Sequence, residues 1–226
     1  LEAGAVAAII DNPTCFIDER TILVDDVLTT LQALAKKHRE QFSIPFLAIT
    51  GSNGKTTSKE LVHAVLTTTF KTYTTQGNLN NHIGIPLTLL RVHSDAEIAV
   101  IEMGANHQKE IAGYCTYAMP THGIITNCGK AHLEGFGGVE GVRKGKGELY
   151  QYLLKNNGTA FVNGSNTDLY VMSVMLSKKV LYLGLGGLPG TLVSTDPSLK
   201  IEWKKEGATY TVETHLEGAY NFENVM

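Results

Sequence analysis

The sequence predicts an α/β fold, in which a mostly parallel sheet is flanked by helices and a small antiparallel hairpin is added near the end. From Ile44 onward, short apolar runs alternate with helical segments, and this order is typical of a parallel sheet covered on both faces. The tail at 200–215 instead alternates apolar and polar residues around a turn at 205–207. That alternation predicts an antiparallel hairpin.

Composition narrows the class of protein. The chain has 226 residues, 43% of them hydrophobic and 18% charged, which suits one or two globular domains with an apolar core. A net charge of -3 argues against a nucleic-acid partner, and no apolar stretch is long enough to predict membrane insertion. The three cysteines, Cys15, Cys115 and Cys128, have no metal-site spacing, so we expect a reduced, cytoplasmic protein.

The first 42 residues are predicted to lead into the main domain. Residues 1–26 carry two short apolar runs, "AVAAII" and "TILV", which suit the last strands of a preceding domain. Asp25 or Asp26 is then expected to cap a connecting helix within 27–42 that ends near Phe42. Because the chain opens without methionine and stops without a closing element, we expect it to be a piece of a longer protein.

The remaining residues, 43–226, are predicted to form one α/β domain. Strands are expected at five apolar runs, "FLAIT", "EIAVIEMG", "HGIITN", "GTAFVN" and "KVLYLG". Helices are expected through Leu66, near 139–155 and near 167–177. The segment "GLGGLPG" at 184–190 has Pro189 where a dinucleotide-binding loop needs its third glycine, so we predict a flexible loop there.

The segment "TGSNGKTT" is predicted to bind the phosphates of a nucleotide. It follows an apolar strand and opens a helix, where backbone amides and the helix dipole favour an anion. Its glycines allow close backbone approach, Lys55 supplies positive charge, and the Thr56 hydroxyl can bind Mg²⁺. The alternative is an ordinary strand-to-helix turn, since Ile49 stands where the usual pattern has its first glycine. The predicted phosphate-binding residues are Thr50, Gly51, Ser52, Asn53, Gly54, Lys55, Thr56 and Thr57.

Four further segments contribute candidate side chains. Glu102 ends an apolar run and His132 follows the next one, so both are expected at the carboxyl edge of the sheet, where ligands bind. Asparagines 80 and 81 can hold a polar substrate or form a turn, and Lys146 lies on a helix with a glycine on either side of it. The alternatives are a solvent-exposed glutamate, a structural histidine and a surface lysine.

Together these segments resemble the Mur ligases, the ATP-dependent amino-acid ligases of peptidoglycan precursor synthesis. The phosphate loop of that family also has its glycine at the position of Gly51 and none at position 49. The strings "NLNNHIGIPLTLL", "IEMGANHQKEI", "TNCGKAHLEGFGG" and "KGEL" are most similar to the branch that joins D-alanyl-D-alanine to UDP-N-acetylmuramoyl-tripeptide.

The resemblance implies a three-domain enzyme, and we expect it to be monomeric. Residues 1–26 would end an N-terminal UDP-sugar-binding domain, 27–42 would be a connecting helix, and 43–226 would form most of the central ATP-binding domain. ATP would phosphorylate the free carboxylate of the tripeptide, and the amine of D-alanyl-D-alanine would attack the acyl phosphate. This segment by itself is expected to be inactive.

The resemblance also implies roles for individual residues. Thr56 and Glu102 would hold one Mg²⁺, while His132 would help to hold a second together with Lys146 in the form of a carbamate. The residues implied in catalysis are Lys55, Glu102, His132 and Lys146. The residues implied in binding the muramoyl substrate are Asn80 and Asn81. Near the adenine, the implied residues are Asn221 and Asn224 of the terminal "YNFEN", where Tyr220 replaces a histidine of the family.

Two other functions stay open at this point. A small-molecule kinase would use a similar phosphate loop but is expected to carry arginine-rich lid segments, and this chain has only four arginines. A non-catalytic nucleotide-binding protein is the second alternative.

Overall fold

The computed structural model describes residues 1, 4–184 and 186–226. The strands are β1 (Ala8–Ile10), β2 (Thr21–Leu23), β3 (Phe46–Thr50), β4 (Thr72–Thr74), β5 (Ile98–Glu102), β6 (His122–Ile125), β7 (Thr159–Asn163), β8 (Lys179–Tyr182), β9 (Gly190–Ser194), β10 (Lys200–Lys205) and β11 (Ala208–Glu213). The α-helices are α1 (Val27–Arg39), α2 (Lys55–Leu66), α3 (Gly84–Leu90), α4 (Glu110–Ala118), α5 (Leu133–Phe136), α6 (Val139–Lys155), α7 (Thr167–Met172) and α8 (Phe222–Val225).

Six strands form the central sheet, in the order β4-β5-β3-β6-β7-β8, and every pair in it is parallel. This confirms the predicted fold class. All five residues of β3 are buried, because helices cover the sheet on both faces. Burial on both faces explains why "FLAIT" is continuously apolar up to Thr50 rather than alternating.

The two faces of the sheet have unequal cores. Phe46 and Ala48 belong to the larger core, whose members also come from α3, α4 and α6. Leu47 and Ile49 point the other way into a smaller core against α2. The phosphate-loop helix α2 therefore packs directly on β3 and its neighbours.

The predicted hairpin is confirmed, with β10 and β11 antiparallel around the turn at 206–207. A third strand, β9, extends this hairpin into a small sheet and was not predicted. Among the described residues it pairs only with β10, and it is mostly exposed, so it lacks the apolar pattern of a buried strand. Of the predicted loop at 184–190, Leu185 lies outside the described residues, and Gly190 already begins β9.

Two predicted helix ends were wrong. Asp26 does cap α1, since its Oδ1 accepts from the Thr29 amide, but the helix ends at Arg39 rather than near Phe42. The buried Arg39 donates to the Phe42 carbonyl and so stabilises the turn that follows. Helix α7 ends at Met172 rather than near 177, because Ser173 donates its hydroxyl to the Tyr170 carbonyl and the chain turns there.

Three elements near the carboxyl edge of the sheet were not predicted from the sequence. Strand β4 has only three residues, and α3 contains a glycine and a proline, both poor helix formers. Helix α4 reads "EIAGYCTYA", which is also weak by propensity. Packing on the sheet, rather than local preference, stabilises these helices.

Across the described ranges, no helix combines the length and the apolar character needed to cross a membrane.

Candidate functional site

The carboxyl ends of three neighbouring strands bring the candidate residues together. Strands β3, β5 and β6 lie side by side and end at Thr50, Glu102 and Ile125. Thr50 is fully buried and donates its hydroxyl to the Met103 carbonyl at 2.7 Å, which joins the ends of β3 and β5. The loops after these strands therefore meet at one edge of the sheet, as expected for a ligand site.

The phosphate loop is held in place by the segment that follows β6. The Ser52 amide donates to the Asn127 carbonyl at 3.0 Å, and the Asn53 amide donates to Asn127 Oδ1 at 3.1 Å. Thr126 Oγ1 donates to the Asn53 carbonyl at 2.6 Å. These bonds fix the shape of the loop, so little ordering would be left for a ligand to impose.

The start of α2 offers unused amides. Gly54 precedes the helix with a φ of 79°, and a side chain there would also overlap the Asn224 amide group. Among the described residues, the amides of Lys55, Thr56 and Thr57 have no acceptor, as is usual for the first turn of a helix. Amides in this arrangement, reinforced by the helix dipole, favour an anion such as phosphate.

Lys55 lies half-buried beside these amides. Its Nζ donates to the Gly51 carbonyl at 2.9 Å and to the Ser52 carbonyl at 3.1 Å. Burial lowers the pKa of Lys55, and the nearby Glu102 carboxylate opposes that shift. The ammonium is thus within reach of a phosphate at the loop.

Glu102 is buried, being only 1% exposed, and its two carboxylate oxygens differ. Oε1 accepts from Asn80 Nδ2 at 2.7 Å and from Thr56 Oγ1 at 3.2 Å. Oε2 is buried and has no hydrogen-bond partner among the described residues. Leaving a buried carboxylate oxygen unpaired costs free energy, and a bound cation would recover that cost.

Mg²⁺ fits these groups. It prefers oxygen ligands, usually one or two carboxylates together with substrate phosphates. Glu102 and the Thr56 hydroxyl supply such oxygens beside a phosphate loop. Within 1, 4–184 and 186–226, no three His, Cys, Asp or Glu side chains cluster closely enough to hold a metal by themselves. A nucleotide would therefore have to supply part of the coordination.

Asn80 and Asn81 both line the adjacent cleft, which has a volume of about 350 Å³. Asn80 donates to Glu102, whereas Asn81 Oδ1 accepts from the amides of Ile83 and Gly84 at 3.1 and 2.9 Å. The turn interpretation therefore describes the present contacts of Asn81. A role for either side chain toward a substrate stays a prediction.

His132 also lines this cleft and is exposed. It has a φ of 54° and directly precedes α5, the short helix on which Glu134 lies. The His132 ring has no hydrogen bond within the described part of the chain. Its predicted contact with a metal ion stays a prediction.

Lys146 is 1% exposed and lies inside α6. Its Nζ donates to the Ala105 carbonyl at 3.0 Å and lies 5.0 Å from the centre of the Phe136 ring. Burial, together with the charge of Lys55, lowers the pKa of Lys146 to about 8. The surface-lysine alternative is therefore wrong. Helix α6 is continuous here, and Gly145 is needed because a side chain would overlap the Phe136 ring.

The terminal segment reaches the phosphate loop. The Ser58 hydroxyl donates to Asn224 Oδ1 at 3.4 Å, and Asn224 Nδ2 donates to Asn221 Oδ1 at 2.9 Å. Asn221 is buried and Tyr220 is 79% exposed. The structure thus brings Asn224 beside the loop, and Asn221 contacts Asn224.

Several residues of this site were missed by sequence reasoning. The cleft is also lined by His82, Asn106, Glu110 and Tyr114. Glu110 had a detectable signal, since it begins α4 and its Oε2 accepts from the Asn106 and His107 amides at 2.6 and 2.9 Å, as an acidic residue in a first helical turn can. Tyr114 lies in a helix that was not predicted, so nothing pointed to it.

Comparisons with known proteins agree with this geometry. The family model described as the Mur ligase middle domain matches residues 49–226. A UDP-N-acetylmuramoyl-tripeptide–D-alanyl-D-alanine ligase of Escherichia coli is 37% identical over 235 residues, covering 100% of this chain and 51% of that protein. The ligase of the same name from Bacillus subtilis is 40% identical over 163 residues, covering 71% of this chain and 36% of that protein. This chain therefore spans about half the length of the first of these relatives.

Solved structures give the same picture. A crystal structure of MurF ligase from Thermotoga maritima in complex with ADP is similar, with a TM-score of 0.85, 29% identity, and coverage of 99% of this chain and 53% of that one. A structure of MurF from Acinetobacter baumannii has a TM-score of 0.84 and 32% identity, and covers 96% of this chain and 48% of that one.

Proposed function

This chain belongs to the Mur ligase family, and from that premise we propose that it is the nucleotide-binding part of an ATP-dependent, ADP-forming ligase. The ligase would join D-alanyl-D-alanine to UDP-N-acetylmuramoyl-tripeptide in peptidoglycan precursor synthesis. The observation that carries the proposal is the buried, unpartnered Oε2 of Glu102 beside the Thr56 hydroxyl and the phosphate loop. The relatives named for this reaction support the choice of substrates.

The proposed division of the chain follows the family. Residues 1–26, with the parallel pair β1 and β2, would end the UDP-sugar-binding domain, and 27–42, with α1, would connect it to the central domain at 43–226. The curated relatives are longer, so the activity is proposed for the full-length protein.

The phosphate loop would bind the β- and γ-phosphates of ATP. The unused amides at the start of α2 would donate to phosphate oxygens. The Lys55 ammonium would give up its hydrogen bonds to the loop carbonyls and bind the phosphates instead. Near the base, Asn221 and Asn224 would contact the adenine. Because the loop is already held by Asn127 and Thr126, little conformational entropy would be lost on binding.

Thr56 and Glu102 would hold a Mg²⁺ ion on these phosphates. When bound, the ion screens the repulsion between the anionic phosphate and the anionic carboxylate that attacks it. Asn80 would keep Oε1 of Glu102 occupied and so direct Oε2 to the ion.

His132 and Lys146 would serve a second ion, with Lys146 as a carbamate. In that modification, the neutral amine attacks the carbon of CO₂ and releases a proton. The lowered pKa of Lys146, to about 8, supports this because more of the amine is neutral near neutral pH than in an exposed lysine. The carbamate nitrogen keeps one N–H, which could remain on the Ala105 carbonyl.

The reaction itself has two steps. A carboxylate oxygen of the tripeptide attacks the γ-phosphorus, the bond to the β-phosphate oxygen breaks, and ADP leaves. The amine of D-alanyl-D-alanine then attacks the acyl carbon, loses a proton, and expels phosphate to form the amide. We place the acceptor carboxylate in the cleft that Lys55, Asn80, Asn81 and His132 line.

Phosphate release by the full-length protein tests the proposal. Release should depend strictly on both UDP-N-acetylmuramoyl-tripeptide and D-alanyl-D-alanine. Phosphate transfer to a hydroxyl acceptor would support the kinase alternative. ATP binding with no turnover under any of these conditions would support the non-catalytic one.

A further inference from the structure

Lys59 is a fully buried charged residue for which the proposed mechanism has no role. It lies on α2, four residues after Lys55, and is 0% exposed. Its Nζ donates to the Thr75 carbonyl at 2.9 Å and pairs with Glu60 Oε1 at 2.7 Å. Burying an ammonium group is costly even when it is paired, and an apolar side chain would usually fill such a space at least as well. Stability alone therefore does not explain why a lysine occupies this position.

Thr75 connects Lys59 to the metal-binding acid. Thr75 is also fully buried, and its Oγ1 accepts from the Glu102 amide at 2.9 Å. Its own amide donates to the Val100 carbonyl at 3.1 Å. Thr75 thus contacts α2 through its carbonyl and β5 through its hydroxyl and its amide.

Two residues of α2, Thr56 and Lys59, are linked to Glu102. Thr56 and Lys59 are three residues apart, so they lie on the same side of the helix. Thr56 touches the Glu102 carboxylate directly, while Lys59 reaches the Glu102 backbone through Thr75. Because α2 begins at the phosphate loop, both contacts tie the position of the carboxylate to that of the phosphates.

We propose that Lys59 is a positioning residue, which acts through Thr75 to hold Glu102 where its Oε2 can bind the Mg²⁺ of a nucleotide at the phosphate loop. This inference rests on the proposed function. Lys59 touches neither nucleotide nor metal, so its loss should weaken the contribution of Mg²⁺ to nucleotide binding rather than the binding of phosphate to the loop.

The test compares ATP affinity with and without Mg²⁺, by calorimetry on residues 1–226. In Lys59→Met, which keeps the length of the side chain but removes its donors, we expect the Mg²⁺-dependent gain in affinity to fall about tenfold. Affinity for ATP in EDTA should change less than about twofold, because the loop amides and Lys55 are untouched. The exposed Lys71 gives the matched control, and Lys71→Met should behave like the unaltered chain.

Thr75 supplies the second arm. Thr75→Val removes the acceptor for the Glu102 amide and should lower the same Mg²⁺-dependent gain, while Thr75→Ser should preserve it. In the double variant, the two losses should not add, since both act along one path. Equal losses with and without Mg²⁺ in Lys59→Met, or additive losses with Thr75→Val, would overturn the inference and leave Lys59 a packing residue. If the unaltered chain binds no ATP at all, the proposed nucleotide site is refuted instead. If it binds ATP equally with and without Mg²⁺, the magnesium site on which the inference rests is refuted.

Discussion

The regions around Glu102 and around His132 were both predicted to hold magnesium, yet the structure arranges them very differently. Glu102 is buried, its Oε1 has two donors, and its Oε2 is unpartnered. His132 lies exposed at the start of a four-residue helix. Lys146 directs its amine to the Ala105 carbonyl. The first region thus has a buried carboxylate oxygen that we propose binds an ion, whereas among the described residues the second region has no such unpaired oxygen.

The difference follows from which elements carry each residue. Glu102 ends a strand in the middle of the sheet, and Thr56 belongs to a helix packed on that sheet. His132 instead lies outside the sheet, in the segment between β6 and α5. We therefore expect the Glu102 region to work in this chain as it stands, and the His132 region to need the modified lysine and the rest of the protein.

The largest effect on turnover is expected at Lys146. It would show that the region around His132 needs the carbamate, whereas the region around Glu102 needs no modified residue. In the full-length protein, Lys146→Ala should lower turnover about 10³-fold, as loss of a charge at a reacting phosphate does. A small carboxylate such as formate should restore part of it. Exposed Lys144 on the same helix is the control, and Lys144→Ala should keep normal turnover. Normal turnover in Lys146→Ala would remove the carbamate from the mechanism.

The carbamate itself should depend on pH. The pKa of Lys146 is lowered to about 8, so its neutral fraction rises between pH 7 and pH 8. With ¹³C-labelled bicarbonate and Mg-ADP, the carbamate carbon signal of full-length protein should grow over that range and be absent from Lys146→Arg. The same signal in both proteins would assign the carbamate to another lysine.

His132 should show the next largest effect. His132→Ala is expected to lower turnover of the full-length protein about 100-fold while ATP affinity changes less than about threefold, because the second ion acts on the transferring phosphoryl group. His215 is exposed near the end of the small sheet and serves as the control. Near-normal turnover in His132→Ala would break the two-ion assignment.

Lys55 should affect binding in residues 1–226 directly. Removing a charge-assisted hydrogen bond costs about 1.5–3 kcal/mol, so Lys55→Ala should weaken ATP binding roughly 10- to 100-fold. Calorimetry on the variant, with Lys144→Ala as control, measures this. Unchanged affinity would mean that the ammonium stays on the Gly51 and Ser52 carbonyls.

Asn224 should show the smallest effect. Its side chain bonds to Ser58 and Asn221 beside Gly54, and a neutral hydrogen bond is worth about 1 kcal/mol, so Asn224→Ala should weaken ATP binding about fivefold. The exposed Asn156 is the matched control. A loss as large as that of Lys55→Ala would show that the terminal segment shapes the loop rather than contacting the base.

The sequence predicted the parts of the site that local pattern determines. "TGSNGKTT" was recognisable because a strand, a turn and a helix start are contiguous, and Glu102 because it ends an apolar run. Helix α6 was also predicted at 139–155, despite its glycines.

What could not be predicted depends on contacts between distant segments. Lys59 and Thr75 look like ordinary surface residues in the sequence, and they are buried where α2 packs on β4 and β5. The unequal oxygens of Glu102 depend on Asn80, which is 22 residues away along the chain. Strand β4 was itself missed, so no register was available from which to place Thr75 beside Glu102.

The most direct test is the Mg²⁺ dependence of ATP binding by residues 1–226 and by Glu102→Gln. Glutamine keeps the shape of the side chain but removes its negative charge. The unaltered chain should bind ATP about 100-fold more tightly with Mg²⁺ than in EDTA, and in Glu102→Gln that ratio should fall close to one while affinity in EDTA is unchanged. A Glu102→Gln protein that keeps the full Mg²⁺ dependence would contradict the assignment of Glu102 as the magnesium ligand.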